Sequence, residues 1–409
     1  MADLPLSNIR VLDLTRVLAG PLATQMLGDM GAEVIKIERP KVGDDARIYG
    51  GPYFKDKEGN PTKENAFYLS ANRNKKSVTV NVASPEGQAI IRDLAKTADV
   101  FIENYKVGDL KRYGLDYEAL RAVNPRLIYC SITGYGQDGP YSARPGYDAI
   151  FQGMSGLMSV TGAPDGVPGG GPTKVGPSIA DVLTSLNVSS AILGALYHRD
   201  ANGGTGQYID VALLDSTIAA LSHYAQIYLV SGESPPRRGS QGNGGMPASM
   251  FPTSDGAIMV TAGNDVQYAR MCKAMDRIDL LEDPRFCNNT QRVINREVLT
   301  ETFDAIFREK PKAYWLNLLA DADIPSGPVN NLNEVFQDPQ VRHRGLEVKV
   351  QHPLGSEISV IRSPIHYSGT PLDTYASPPL LGQHTDAVLG EVLGYSEDKR
   401  RELRDAGVI

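Results

Sequence analysis

A chain of 409 residues is long enough for two domains, each with its own core. Hydrophobic residues at 41% and charged residues at 22% are the proportions of a soluble globular protein. The net charge of −7 argues against nucleic acid as a partner, because phosphate binding shows as a basic excess, but it leaves room for a local basic pocket. Cys130, Cys272 and Cys287 are widely spaced, form no C-x-x-C pair and leave one over if two were bridged. That implies a reducing compartment, and "MADLPLSNIRVLDLT" lacks a signal-peptide pattern, so the expected location is cytoplasmic. No apolar run approaches the roughly 18 residues that span a bilayer, so no membrane partner is expected.

The first third alternates strands and helices. "IRVLDLT" reads as a buried strand, "GPLATQMLGDMG" as a helix with Pro near its start and Gly at its end, and "AEVIKIER" as the next strand. Strand "KSVTVNV", helix "SPEGQAIIRDLAKTA", strand "DVFIEN", a helix around "DYEALRAVN" and strand "RLIYCSIT" repeat the pattern. This implies an α/β fold with a doubly wound parallel sheet. Residues 40–66 read as a long loop, a length usually reserved for function or a partner. A glycine-rich turn and another strand follow at "RDANGGTGQYIDVAL", and "GESPPRRGSQGNGGMPASMFPTSDG" marks a change of domain. The expected organisation is a Rossmann-like large domain begun by residues 1–200, a linker at 201–225, a smaller α/β domain at 226–325, and a return to the large domain over 326–409.

"GYGQDG" at 134–139 matches G-x-G-x-x-G after a strand, but Pro140 follows and no amphipathic helix begins there, so a nicotinamide site is disfavoured. The six histidines do not cluster, and no metal site is expected. Basic and polar groups near strand ends are more informative. Arg16 follows the first strand, Arg39 ends the second and Asn104 follows the fourth, and in an open parallel sheet the carboxyl ends of strands line the ligand crevice. Each alone reads as a solvated charge or a structural contact; their shared edge suggests a pocket for an anionic nucleotide.

"GPSIADVLTSL" places Asp181 inside an apolar helix that starts at or just after Pro177. Ser178-x-x-Asp181 is close to a capping box, so local sequence favours a capping role for the carboxylate over a chemical one.

"VLDLTRVLAGPLATQMLGDMGAEVIKIERP", "NRNKKSVTVN", "FIENY", "PRLIYCSITGYGQDGPY", "RPGYDAIFQGMSGLMSVTGAPDGVP" and "GPSIADVLTSL" together resemble the class III coenzyme A transferases. That family includes formyl-CoA:oxalate and crotonobetaine/carnitine enzymes. The likeness continues through "GTGQYIDVALLDS", "DIPSGPVN" and "PPLLGQHT", nearly the whole chain. It implies that Asp181 is the nucleophile, favoured in its ionised form by the positive end of its helix. It implies CoA, as co-substrate rather than bound cofactor, over Leu18, Ala19, Arg39, Asn81, Asn104, Tyr105, Arg112 and the turn Thr133, Gly134 and Tyr135. The stretch "GSQGNGGMP", with Gly242, Gly244 and Gly245, matches in part a mobile loop that covers the nucleophile in formyl-CoA enzymes. The family fold is an interlocked homodimer.

The implied reaction moves CoA between carboxylic acids through an aspartyl anhydride and an aspartyl-CoA thioester, with acyl-CoA and small acids as partners. Leu18 and Gly136 stand where formyl-CoA enzymes carry a glutamine and an acidic residue, so succinyl-CoA with a dicarboxylate acceptor is expected instead. The alternative of the same fold is an α-methylacyl-CoA racemase, whose motif has a histidine where this chain has Tyr147, a poor general base near neutral pH. A non-catalytic acyl-CoA-binding protein is the remaining reading, disfavoured by the presence of Asp181.

Overall fold

Short Val- and Ile-rich runs separated by helices build a six-stranded sheet in a computed structural model that describes residues 4–242 and 244–409. Its order across the sheet is Lys75–Thr79, Glu33–Glu38, Arg10–Asp13, Val100–Glu103, Ile128–Thr133 and Tyr208–Ala212. Every neighbouring pair is parallel. Numbered along the chain, the strands run third, second, first, fourth, fifth, sixth, so the order reverses between Arg10–Asp13 and Val100–Glu103. That arrangement is the Rossmann one, and it opens a crevice at the reversal.

Side chains alternate across the sheet because strand residues point to opposite faces in turn. Leu12, Ile35, Val78 and Phe101 bury on one face, under the helices Pro85–Ala95, Tyr117–Val123, Thr385–Glu391 and Glu397–Asp405. Val11, Val34, Val100, Ile102 and Ile128 bury on the other, under Ala19–Asp29, Asp148–Met154 and Ile179–Ala201. Each such side chain contributes about 1.5–3 kcal/mol on full burial. The helix Pro85–Ala95 starts as its sequence suggests: Ser84 Oγ accepts the Gly87 N–H at 3.0 Å, and Pro85 occupies the first turn.

The edge strand Lys75–Thr79 is covered by the end of the chain, which protects its free backbone groups. The His384 N–H donates to Ser77 O at 2.9 Å, the Thr79 N–H to Thr385 Oγ1 at 3.0 Å, and the Asn81 N–H to Val408 O at 2.7 Å.

The chain divides into two compact units. The larger takes the chain as far as Leu157 together with Val175–Gly232 and Arg342–Ile409; the smaller takes Met158–Lys174 and Glu233–Val341. Residues 201–225, expected as a linker, hold instead the sixth strand and the helix Leu213–Ala220 of the larger unit. The tail of that unit begins at Arg342, later than the expected 326, because Ser326–Pro328 pairs with Gly256–Thr261 in the smaller unit. That smaller unit has a three-stranded antiparallel sheet over a core of Phe251, Phe303, Phe307 and Trp315.

The helix Ile179–Ala201, 23 residues, is long and apolar enough to cross a membrane by length and composition, contrary to the sequence reading. Its Val188, Ile192 and Ala195 lie in the core instead.

Candidate active site

The first and fourth strands end side by side, and the turn after the first is held by a buried network. Lys36 Nζ pairs with Asp44 at 2.8 Å and donates to Thr15 O at 2.8 Å. Asp44 Oδ1 accepts the N–H groups of Val17 at 3.0 Å and Ala46 at 2.9 Å. Val17 has φ of +71°, a conformation a β-branched residue holds only when its surroundings enforce it. Asn104 closes the turn from the other side. Its Oδ1 accepts the Arg16 N–H at 2.9 Å and its Nδ2 donates to Arg16 O at 2.8 Å.

These strand ends frame a pocket of about 230 Å³. Of the residues expected at the site, Leu18, Ala19, Asn104, Tyr105, Thr133, Gly134 and Asp181 line it. Arg16 lines it too, its guanidinium 4.8 Å over the Tyr105 ring. Burial pushes the Tyr105 phenol above its ordinary range. The volume is below the roughly 300–1,000 Å³ of a drug-sized ligand site.

Four expected residues stand outside this lining. Arg39 pairs with Asp45 and donates to Gly43 O at 3.2 Å, beside the pocket wall that Asp45 forms. Arg112 is exposed and paired with Asp109 at 2.6 Å. The Asn81 side chain accepts the Ala83 N–H at 3.1 Å within its own turn. Tyr135 packs edge-on against Phe151 and Tyr141. Asn104 lines the pocket, yet both ends of its amide are engaged with the Arg16 backbone, so it shapes the wall.

The sequence reading missed Lys106 and Arg144, two cations on the lining. Arg144 belongs to "RPGYD", a stretch read only for Tyr147, which also lines the pocket and is 68% exposed. Among the described residues, no group of three or more His, Cys, Asp or Glu is placed to hold a metal.

Gly242, Gly244 and Gly245 lie in the smaller unit. The Gly242 N–H donates to Ala248 O at 3.0 Å, and Gly245 lies against Gly263 so closely that a Cβ there would sit 2.3 Å from the Gly263 oxygen. Asn243, inside the expected loop, lies outside the described residues.

Asp181 is the third residue of the helix Ile179–Ala201, as expected, and is half-buried on the pocket wall. The expected capping box is absent: Ser178 makes no side-chain cap. The Ala180 N–H donates instead to Asp148 Oδ1 at 2.9 Å, so an acceptor from another helix closes this one. Burial, and then the Asp148 carboxylate, push the Asp181 pKa up to about 7. A carboxylate with a raised pKa is a better nucleophile once ionised, and it is substantially ionised at neutral pH.

A family model for CoA-transferase family III matches residues 6–385. The human succinyl-CoA:glutarate CoA-transferase is 44% identical over 405 residues, covering 99% of this chain and 90% of that one. The succinate–glutarate CoA-transferase of Agrobacterium fabrum is 44% identical over 388 residues, covering 95% and 96%. The crystal structure of a CaiB/BaiF family protein from Brucella suis superposes with a TM-score of 0.86 at 40% identity, covering 95% of this chain and 100% of that one. This chain, with a Rossmann-ordered sheet and a half-buried aspartate at its strand-end pocket, belongs to CoA-transferase family III and is a CoA-transferase.

Proposed function

We propose that the enzyme moves CoA from succinyl-CoA to a second dicarboxylate, glutarate or an acid of similar size, with Asp181 as nucleophile. An Asp181 oxygen attacks the thioester carbonyl, the C–S bond breaks, and CoA departs as thiolate, leaving a mixed anhydride of Asp181 and succinate. The thiolate attacks the Asp181 carbonyl, giving an aspartyl-CoA thioester and releasing succinate. The acceptor carboxylate then attacks that carbonyl and expels the thiolate. The thiolate takes the acceptor's acyl group and restores the Asp181 carboxylate. Thioester energy is kept at each step, provided water is excluded from the anhydride.

The observation that carries this reading is Asp181 itself, an ionisable carboxylate on the wall of the strand-end pocket. The cations Arg16, Lys106 and Arg144 on the same lining suit a substrate with further negative charge. We place the rest of CoA outward along the strand ends toward Arg39 and Arg112, with Leu18, Ala19, Tyr105 and the Thr133–Gly134 turn nearer the thioester. The working form is a homodimer, and the free cysteines suit a reducing compartment such as the cytoplasm. The test is an exchange assay with succinyl-CoA against a panel of mono- and dicarboxylic acids. Dicarboxylates of glutarate's size should be preferred, and Asp181→Ala should abolish transfer while CoA still binds. Substantial turnover by Asp181→Ala would sink the proposal.

A further inference from the structure

Two buried side chains of the helix Asp148–Met154 reach across to the start of the Asp181 helix. Asp148 gives one carboxylate oxygen to the Ala180 N–H at 2.9 Å and the other to Gln152 Nε2 at 2.8 Å. Gln152 Oε1 accepts the Val175 N–H at 2.9 Å, and its Nε2 also approaches Pro177 O at 3.4 Å. Asp148 is 8% exposed and Gln152 fully buried. The segment that leads into the nucleophile is therefore held at Val175 and Ala180, one end by each side chain, and the two side chains hold each other.

We propose that Asp148 and Gln152 are positioning residues for CoA transfer: together they fix the Val175–Ala180 segment so that the Asp181 carboxylate enters the pocket at one place. This rests on Asp181 being the nucleophile. The chemistry asks for such a hold. Asp181 attacks once through oxygen, and its carbonyl is then attacked by the thiolate and later by the acceptor, so one carboxyl group must meet three reacting partners. The usual local device is missing, since Ser178 makes no cap and Ala180 is fully buried, which leaves Asp148 as the acceptor that completes the helix start. The strap touches neither Arg39 nor Arg112, so its loss should leave acyl-CoA binding largely unchanged.

The experiment uses the full-length chain and three variants: Asp148→Ala, Gln152→Ala, and the exchanged pair Asp148→Asn/Gln152→Glu. In the exchanged pair the asparagine oxygen still serves Ala180, its amide meets the new carboxylate, and that carboxylate still serves Val175. Steady-state kcat and KM for succinyl-CoA are measured, with the rate at which hydroxylamine-trapped product appears on the Asp181 peptide. Each alanine variant should lose about 10²-fold in kcat and in trapping rate with KM within about threefold, the signature of misplacement rather than lost binding. The exchanged pair should recover to within about tenfold of wild type.

A folded alanine variant with kcat within about twofold of wild type overturns the inference, as does an exchanged pair no faster than Asp148→Ala. If neither alanine variant folds, the exchanged pair decides against wild type: kcat within about tenfold supports the inference, and a greater loss overturns it. Trapping on Asp181 in the wild type together with unaltered variants overturns this inference alone. No trapping on Asp181 in the wild type overturns the reading beneath it, and this inference with it.

Discussion

At the scale of single residues, Asp181 carries two opposing influences whose balance sets a pH dependence. Its helix end favours the anion, while burial and the Asp148 carboxylate favour the protonated form and prevail, with a pKa of about 7. If Asp181 is the nucleophile as proposed, attack needs the anion, so kcat/KM for succinyl-CoA should rise with pH through an apparent pKa near 7 and then level off. The same shift has a stability consequence of definite sign. An unfolded aspartate titrates at about 3.9, so between that pH and about 7 the folded chain binds more protons than the unfolded one. Stability from this group therefore falls as pH rises across that window, and Asp181→Asn should gain on the wild type in thermal melts over the same range. A flat kcat/KM profile, or a melting difference that does not change with pH, would contradict the assignment. Which residues meet at the pocket was only partly legible. Leu18, Ala19 and Thr133 came from the family resemblance and do line the pocket, whereas the engagement of both ends of the Asn104 amide by the Arg16 backbone depends on contacts 88 residues apart.

Helices and strands show why local patterns read some features well and others badly. The start of Pro85–Ala95 was legible because Ser84 and Pro85 act on their own helix. The start of Ile179–Ala201 was placed too, but its acceptor was not, because Asp148 comes from a different helix 32 residues earlier. The strand Tyr208–Ala212 was visible as a pattern, but its place beside Ile128–Thr133 depends on long-range pairing. The same helical region also offers a surface. The helix His223–Ser231 has no buried residue; its Leu229 is 73% and its Val230 78% exposed. Tyr228 and Ile218 are exposed as well, and exposed apolar groups of this kind suit cover by a partner chain. Light scattering should give the mass of two chains, and Leu229→Asp/Val230→Asp should move the population toward one. A wild-type mass of one chain at working concentration would remove the dimer from the account.

For the whole molecule, the alternation of strands and helices carried the fold because a parallel sheet needs a crossover between neighbours, and that need is written locally. The division into units was less legible. Met158–Lys174 leaves the larger unit and returns to it between two helices of that unit, with no local marker beyond glycine and proline. Its ties lie far along the chain: the Gly239 N–H donates to Gly162 O at 3.0 Å, and Arg237 pairs with Asp165. What joins these scales is one claim, that acyl groups and CoA pass through covalent attachment to Asp181. The most direct measurement follows oxygen. Exchange is run with succinyl-CoA and glutarate carrying heavy oxygen in both carboxylates, in ordinary water, and the Asp181 peptide is then weighed. When the acceptor's acyl group leaves the anhydride for CoA, the bridging oxygen remains on Asp181. The account predicts one or two heavy oxygens on that peptide alone, and heavy oxygen in the succinate released by later turnovers. Product formation over many turnovers with an unlabelled Asp181 peptide would contradict it.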